Sequence, residues 1–151
     1  MDESDTGIYA REIGELDETV QVGIASGRVI SLSVPGRPEE ATPEHELLDR
    51  IERYVAGEPD DFSDVPIALT VPTDHRAVLE RVRKVPYGET TDAATLARSA
   101  GLDPEEDLDV VRTALESNPV PVLLPDHRVV DGPSALPGGL ARRLRSIESD
   151  R

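Results

Sequence analysis

The chain has 151 residues, 37% of them hydrophobic, enough for one domain or two small ones around a buried core. It contains no cysteine, which excludes disulfides, zinc fingers, thiolate nucleophiles and iron-sulfur clusters together. Its 31 acidic residues against 16 basic ones give a net charge of −15, with Lys84 the single lysine, and so resemble a halophile's surface. Dense carboxylates keep a protein hydrated at very high salt, where a Debye length of roughly 3 Å or less suppresses their repulsion. The regular hydrophobic periodicity of most of the chain argues against an acidic disordered protein. No run approaches the roughly 20 apolar residues of a membrane helix, and Met1 to Asp5 is acidic where a signal peptide would be basic. The expectation is a cytoplasmic monomer with no membrane partner.

In chain order, Ile8 to Ile13, Val20 to Ala25 and Val29 to Val34 read as strands, the last two joined by Ser26-Gly27, which suits a tight hairpin in an antiparallel sheet. Leu47, Leu48, Ile51, Tyr54 and Val55 share one helical face, with Thr42-Pro43 as its start and Gly57 as its stop. The polar stretch Glu58 to Asp64, with Pro66 and Pro72, then breaks the periodicity, placing a boundary near residue 70 between domains 1–70 and 71–151.

The second half reads as mainly helical. Asp74 to Lys84 turns Val78, Leu79 and Val82 inward, and Asp92 to Ala100 centres on Leu96 and Ala97. Asp103-Pro104-Glu105-Glu106 combines a capping acid, a proline at the first helical position and a glutamate at the third, predicting a helix from Asp103 to Ser117. These two helices, separated by Gly101-Leu102-Asp103, fit a helix-turn-helix. Val120 to Leu124, beyond Asn118-Pro119, reads as a buried strand, and Leu140, Leu144 and Ile147 mark a last helix.

Four motifs then occur in order: Val85-Pro86-Tyr87-Gly88-Glu89-Thr90, Asn118-Pro119-Val120-Pro121, Pro125-Asp126-His127-Arg128-Val129-Val130, and Gly138-Gly139-Leu140. Their order and spacing resemble the O6-alkylguanine-DNA alkyltransferases, with a looser likeness in the first half through the hairpin and Tyr54-Val55-Ala56-Gly57. The resemblance implies an α/β N-terminal ribonuclease-H-like domain and a mainly α C-terminal winged helix-turn-helix-like domain that enters the DNA minor groove. It also implies an acceptor cysteine between the proline and histidine of the third motif, activated through the histidine, a water and a carboxylate near the C-terminus. Here Asp126 stands at that position, beside His127 and Arg128, and the carboxylate is Glu148 or Asp150. An aspartate titrating near 4 is ionised, hydrated and a poor nucleophile toward an alkyl carbon, so no alkyl transfer is expected.

The cysteine-free alkyltransferase-like proteins, which bind alkylated guanine, flip it and hand the lesion to nucleotide excision repair, are the nearest likeness. With the charge, this points to a halophilic archaeon. The implied DNA- and base-contacting positions are Tyr87, Gly88, Thr95, Arg112, Asn118, Pro119, Arg128, Gly138 and Gly139, and the implied partners are DNA carrying alkylated guanine and excision-repair proteins. Base flipping needs a wedge and a means of turning the backbone. The family's arginine finger falls on Asp109, its helix tyrosine on Ala93 and its pocket tyrosine on Leu136. The segment Asp103 to Ser117 carries Asp103, Glu105, Glu106, Asp107, Asp109 and Glu116 against Arg112 alone, a face that repels phosphate. Arg128, Arg142, Arg143 and Arg145 supply some positive charge later in the chain.

His127 and Arg128 also have a plain structural reading, in which they hold their junction by hydrogen bonds, and Asn118 one as a hinge. The repeat of Asp74-His75-Arg76 in Asp126-His127-Arg128 reads as chance rather than as a metal site. Gly138-Gly139 lacks the strand, lysine and spacing of a phosphate loop, and no cofactor is implied. Two functions follow: a non-catalytic DNA-binding protein of alkylation repair, or a degenerate member that has left DNA and acts as a protein-interaction or regulatory module.

Overall fold

A computed structural model describes residues 2–36 and 41–149. Three antiparallel strands, β1 (Gly7–Ile13), β2 (Glu18–Ala25) and β3 (Arg28–Ser33), form a sheet in sequence order. Ala25 pairs with Arg28 across Ser26 and Gly27, both at positive φ (52° and 76°), the two-residue turn whose twist matches its strands. Val20, Val22, Ile24, Val29 and Leu32 are buried, and their strand neighbours apart from Gly23 are exposed or half-buried, as a half-covered sheet requires.

Helix α1 (Glu46–Val55) buries Leu47, Leu48, Ile51, Tyr54 and Val55, the face its spacing predicts. It starts later than Thr42-Pro43, because Thr42 is taken up by the sheet edge: Ala10 N donates to its carbonyl and its own N to Ile8 O. The cap is His45, whose Nδ1 accepts from Leu47 N while Nε2 meets Asp5 at 2.7 Å.

Four helices follow: α2 (Thr73–Val82), α3 (Ala93–Ser99), α4 (Leu108–Glu116) and α5 (Leu140–Ser149). Two expectations are corrected here. The helix predicted from Asp103 begins at Leu108. The Asp103 carboxylate accepts from Glu105 N and Glu106 N, and the Asp107 carboxylate from Asp103 N, closing a separate turn ahead of the helix. Four of the six acids therefore precede α4, and only Asp109 and Glu116 lie on it. Val120 to Leu124 is likewise no strand. Pro119, Pro121 and Pro125 remove the donors a ladder needs, and the segment folds into a turn with Leu124 N on Val120 O and Val122 at φ 77°.

The apolar core is continuous from Ile13 and Val22 under the sheet, through Tyr54 and Phe62, to Val78, Val111, Leu123 and Leu144 among the helices. One backbone bond crosses residue 70: Leu32 N donates to Pro119 O at 2.8 Å. Among the described residues the architecture is small and mixed α/β, with a three-stranded sheet and five α-helices.

Candidate functional site

Every residue from Val120 to Val129 is buried, and within that run Asp126, His127 and Arg128 form a single 3-10 turn. Three charged or titratable side chains in succession lose their water here, so each must find partners inside the protein.

Asp126, 1% exposed, has three donors. Its Oδ1 accepts from Ser134 Oγ at 2.5 Å, and its Oδ2 from Ala135 N at 3.0 Å and Asn118 Nδ2 at 3.1 Å. Burial pushes its carboxyl above the usual aspartate range, against the lowering effect of those donors. Only the hydration expected of this carboxylate is corrected: it is dry, and its three hydrogen bonds replace water. Asn118 also donates to Leu124 O and accepts from Val120 N, holding the turn that leads into the site.

His127 and Arg128 converge on Glu148 of α5. Glu148 accepts from His127 Nε2 at 2.8 Å, from Arg128 Nε and Nη2 at 2.9 and 2.8 Å, from Tyr54 Oη, and from Gly88 N at 3.3 Å. Burial alone would raise this carboxyl; the bonds from His127 and Arg128 overcome that and hold it at about 2. Burial and the Glu148 charge push the Tyr54 phenol well above its ordinary value. Arg128 also donates to Val85 O at 2.7 Å and lies over the Tyr87 ring, 5.7 Å from its centroid. Among the described residues, His127 Nδ1 is buried without a hydrogen-bond partner.

Of the two carboxylates expected beside His127, Glu148 fills the place; Asp150 lies outside the described residues. Ser134 had no signal in the sequence, and Tyr54 had only the loose likeness of Tyr54-Val55-Ala56-Gly57, which assigned it no role at the site. Tyr54 read as one more residue of an apolar helical face, and Ser134 sits in a Gly/Pro/Ser stretch with no motif.

The remaining predicted positions fall into two groups. Arg128 and Asn118 are buried with their side chains bonded internally, and Pro119 gives its carbonyl to β3. Gly88, Thr95, Arg112, Gly138 and Gly139 are exposed, on the loop before α3, on α3, on α4 and ahead of α5; Tyr87 is half-buried. Asp109 is exposed on α4, with Arg112 further along the same helix. Ala93 is buried at the start of α3, its N donating to Asp131 at 2.7 Å, and Leu136 is buried in the loop that covers Asp126. Arg142 is exposed on α5, while Arg143 and Arg145 donate to the carbonyls of Glu15 and His127. No group of three or more His, Cys, Asp or Glu side chains converges as a metal site among the described residues, and no described helix is long and apolar enough to cross a membrane.

The site is thus a two-helix unit leading into a buried Pro-Asp-His-Arg turn braced by a glutamate of the last helix. Residues 73–148 match the family model described as 6-O-methylguanine DNA methyltransferase, DNA binding domain, and the chain belongs to that family. It is 36% identical to the methylated-DNA–protein-cysteine methyltransferase of Methanopyrus kandleri over 129 residues, 80% of this chain and 93% of that protein. It is 40% identical to the DNA base-flipping protein of Thermus thermophilus over 93 residues, 61% of this chain and 60% of that one. The Mycobacterium tuberculosis O6-methylguanine methyltransferase shares the fold with a TM-score of 0.78 at 22% identity, over 97% of this chain and 94% of that one. The name of the Methanopyrus relative specifies a protein cysteine, and this chain has none.

Proposed function

We propose that this protein is a non-catalytic, alkyltransferase-like member of its family, which binds DNA or alkylated guanine in alkylation repair without accepting an alkyl group. One observation carries the reading: Asp126 stands where the motif calls for the acceptor cysteine, and its carboxylate is buried under three donors. A carboxylate so held is a weak nucleophile, because attack on carbon would strip it of hydrogen bonds that stabilise its charge. The rest of the acceptor framework, His127 with Glu148, is intact and here serves to hold the turn.

In support of DNA binding, the DNA base-flipping protein of Thermus thermophilus is similar over 93 residues, and the Mycobacterium tuberculosis protein of the same fold has been solved in complex with DNA. The contacts on this reading come from Thr95 on α3, Arg112 on α4, the Tyr87-Gly88 loop and Gly138-Gly139, within a C-terminal winged-helix-like domain, 71–151, that follows a ribonuclease-H-like domain, 1–70. The cytoplasm of a halophilic archaeon and excision-repair partners belong to the same proposal.

Labelled duplexes with and without O6-methylguanine, titrated in molar KCl, test it: tighter binding of the lesion duplex is expected, and equal or absent binding overturns it. Transfer of labelled methyl to the protein would overturn the non-catalytic part. A second reading, a protein-interaction module that has left DNA, is favoured by the exposed Asp109 on α4 and the acidic turn before it. A pull-down from the source cell's extract, treated with nuclease, separates the two.

A further inference from the structure

The loop 131–137 crosses directly over Asp126, and each of its attachments is identifiable. At its start, Asp131 Oδ1 accepts from Ala93 N at the head of α3, at 2.7 Å. Next, Gly132 runs so close to α4 that a Cβ there would lie 2.8 Å from Leu115 Cδ1 and 3.2 Å from Val129 Cγ1. In the middle, Ser134 Oγ donates to Asp126 Oδ1 at 2.5 Å and itself accepts from Leu136 N at 3.1 Å, while Ala135 N donates to Asp126 Oδ2 at 3.0 Å. Leu136, 8% exposed, closes the far side before Leu140 N takes Pro137 O into α5.

We infer that Asp126 is a positioning residue, a latch whose carboxylate draws the 131–137 loop down over its own site and links that site to both helices of the α3–α4 pair. The chemistry follows from the donors. A carboxylate offers acceptors only, and all three groups that meet it here are donors, two of them from the loop. A thiol at this position could not hold two loop donors with comparable strength, since sulfur is a weak acceptor. Residue 126 therefore does more here than lose a reactive group: it fastens the loop.

The consequence bears on what can enter. A group reaching Asp126 must displace Ser134 Oγ and the Ala135 N–H, and leaves the carboxylate stable only if it brings donors of its own. An O6-alkyl group brings none, so on the function proposed above the lesion is accommodated by lifting the loop rather than by replacing its bonds one for one. Because Asp131 and Gly132 tie the same loop to α3 and α4, lifting it strains the helix pair, and whatever docks on that pair bears on the latch.

Amide hydrogen exchange on the full chain without DNA decides it. In the wild-type protein, Ala135 N–H and Leu136 N–H exchange slowly, and in Ser134→Ala and Asp126→Asn both accelerate by at least about tenfold, the loss of one to two hydrogen bonds, while the amides of α1 and α2 keep their rates. Ser134→Ala removes the hydroxyl without touching the buried charge, so it decides the matter if Asp126→Asn does not fold. Open-loop exchange at Ala135 in the wild type, or unchanged Ala135 and Leu136 rates in Ser134→Ala, overturns the latch. Failure to bind DNA would sink the function proposed above and leave these exchange rates as they are.

Discussion

Glu148 Oε2 and Oε1 face Arg128 Nη2 and Nε at 2.8 and 2.9 Å in a two-pronged ion pair, with both side chains almost wholly buried. Paired guanidinium and carboxylate of this geometry are held strongly, and removing one partner strands the other in a dry interior.

Glu148→Gln keeps the shape and deletes the charge. It should lower stability by on the order of 3 kcal/mol, since Arg128 keeps its charge and loses its counter-ion. Urea unfolding would show a lower midpoint at an unchanged slope. A loss below about 1 kcal/mol would mean that the pair contributes no more than an exposed one.

Acid acts on the two buried carboxyls with opposite sign. Glu148 titrates at about 2 in the folded chain against 4.5 for a free glutamate, so its contribution is full above about pH 4.5 and is lost as pH falls toward 2. That span corresponds to about 3 kcal/mol. Asp126 has a raised value, so what it contributes is complete below the ordinary aspartate range and diminishes as pH rises through its folded value. Unfolding midpoints across pH should fall steeply on the acid side in the wild type, less steeply in Glu148→Gln, and lose their gentler opposing slope in Asp126→Asn.

If α4 faces DNA as proposed, the exposed Asp109 opposes the one cation of that helix, Arg112. Asp109→Arg should raise duplex affinity and steepen the dependence of log K on log salt by about one, the effect of one added phosphate contact. Fluorescence anisotropy at several KCl concentrations reads both numbers. An unchanged salt slope would show that α4 does not face the phosphates.

The net charge of −15 sets a fourth expectation. Screening shortens the reach of carboxylate repulsion to roughly 3 Å at 1 M salt, so the melting temperature should climb with KCl through the molar range. Thermal melts that are flat from 0.1 to about 3 M KCl would refute a repulsive surface.

Much of this molecule could be read locally. The strands follow from alternation and from Ser26-Gly27, α1 from the spacing of Leu47, Leu48, Ile51, Tyr54 and Val55, and both survive in the structure because the signals act within a few residues. Val120 to Leu124 misled because a run of apolar residues looks alike in a buried strand and a buried turn; the prolines that decide between them act by withholding donors from a partner the sequence does not name. The Asp103 signal misled for a similar reason, since the same acid that caps a helix can close a turn just ahead of one.

By itself the sequence determined the three strands and the faces of the helices, the family through its four spaced motifs, and the absence of any thiol. Tertiary structure decided the rest of the site. It brought Tyr54 to Glu148 across 94 residues, chose Glu148 as the partner of His127, and turned Asp126 from a hydrated carboxylate into one buried beneath Ser134 and Ala135. The physical reason is burial: propensity and pattern fix which segments form, but once the turn at 126–128 is taken out of water, each of its polar groups must be satisfied by whatever the fold brings within reach.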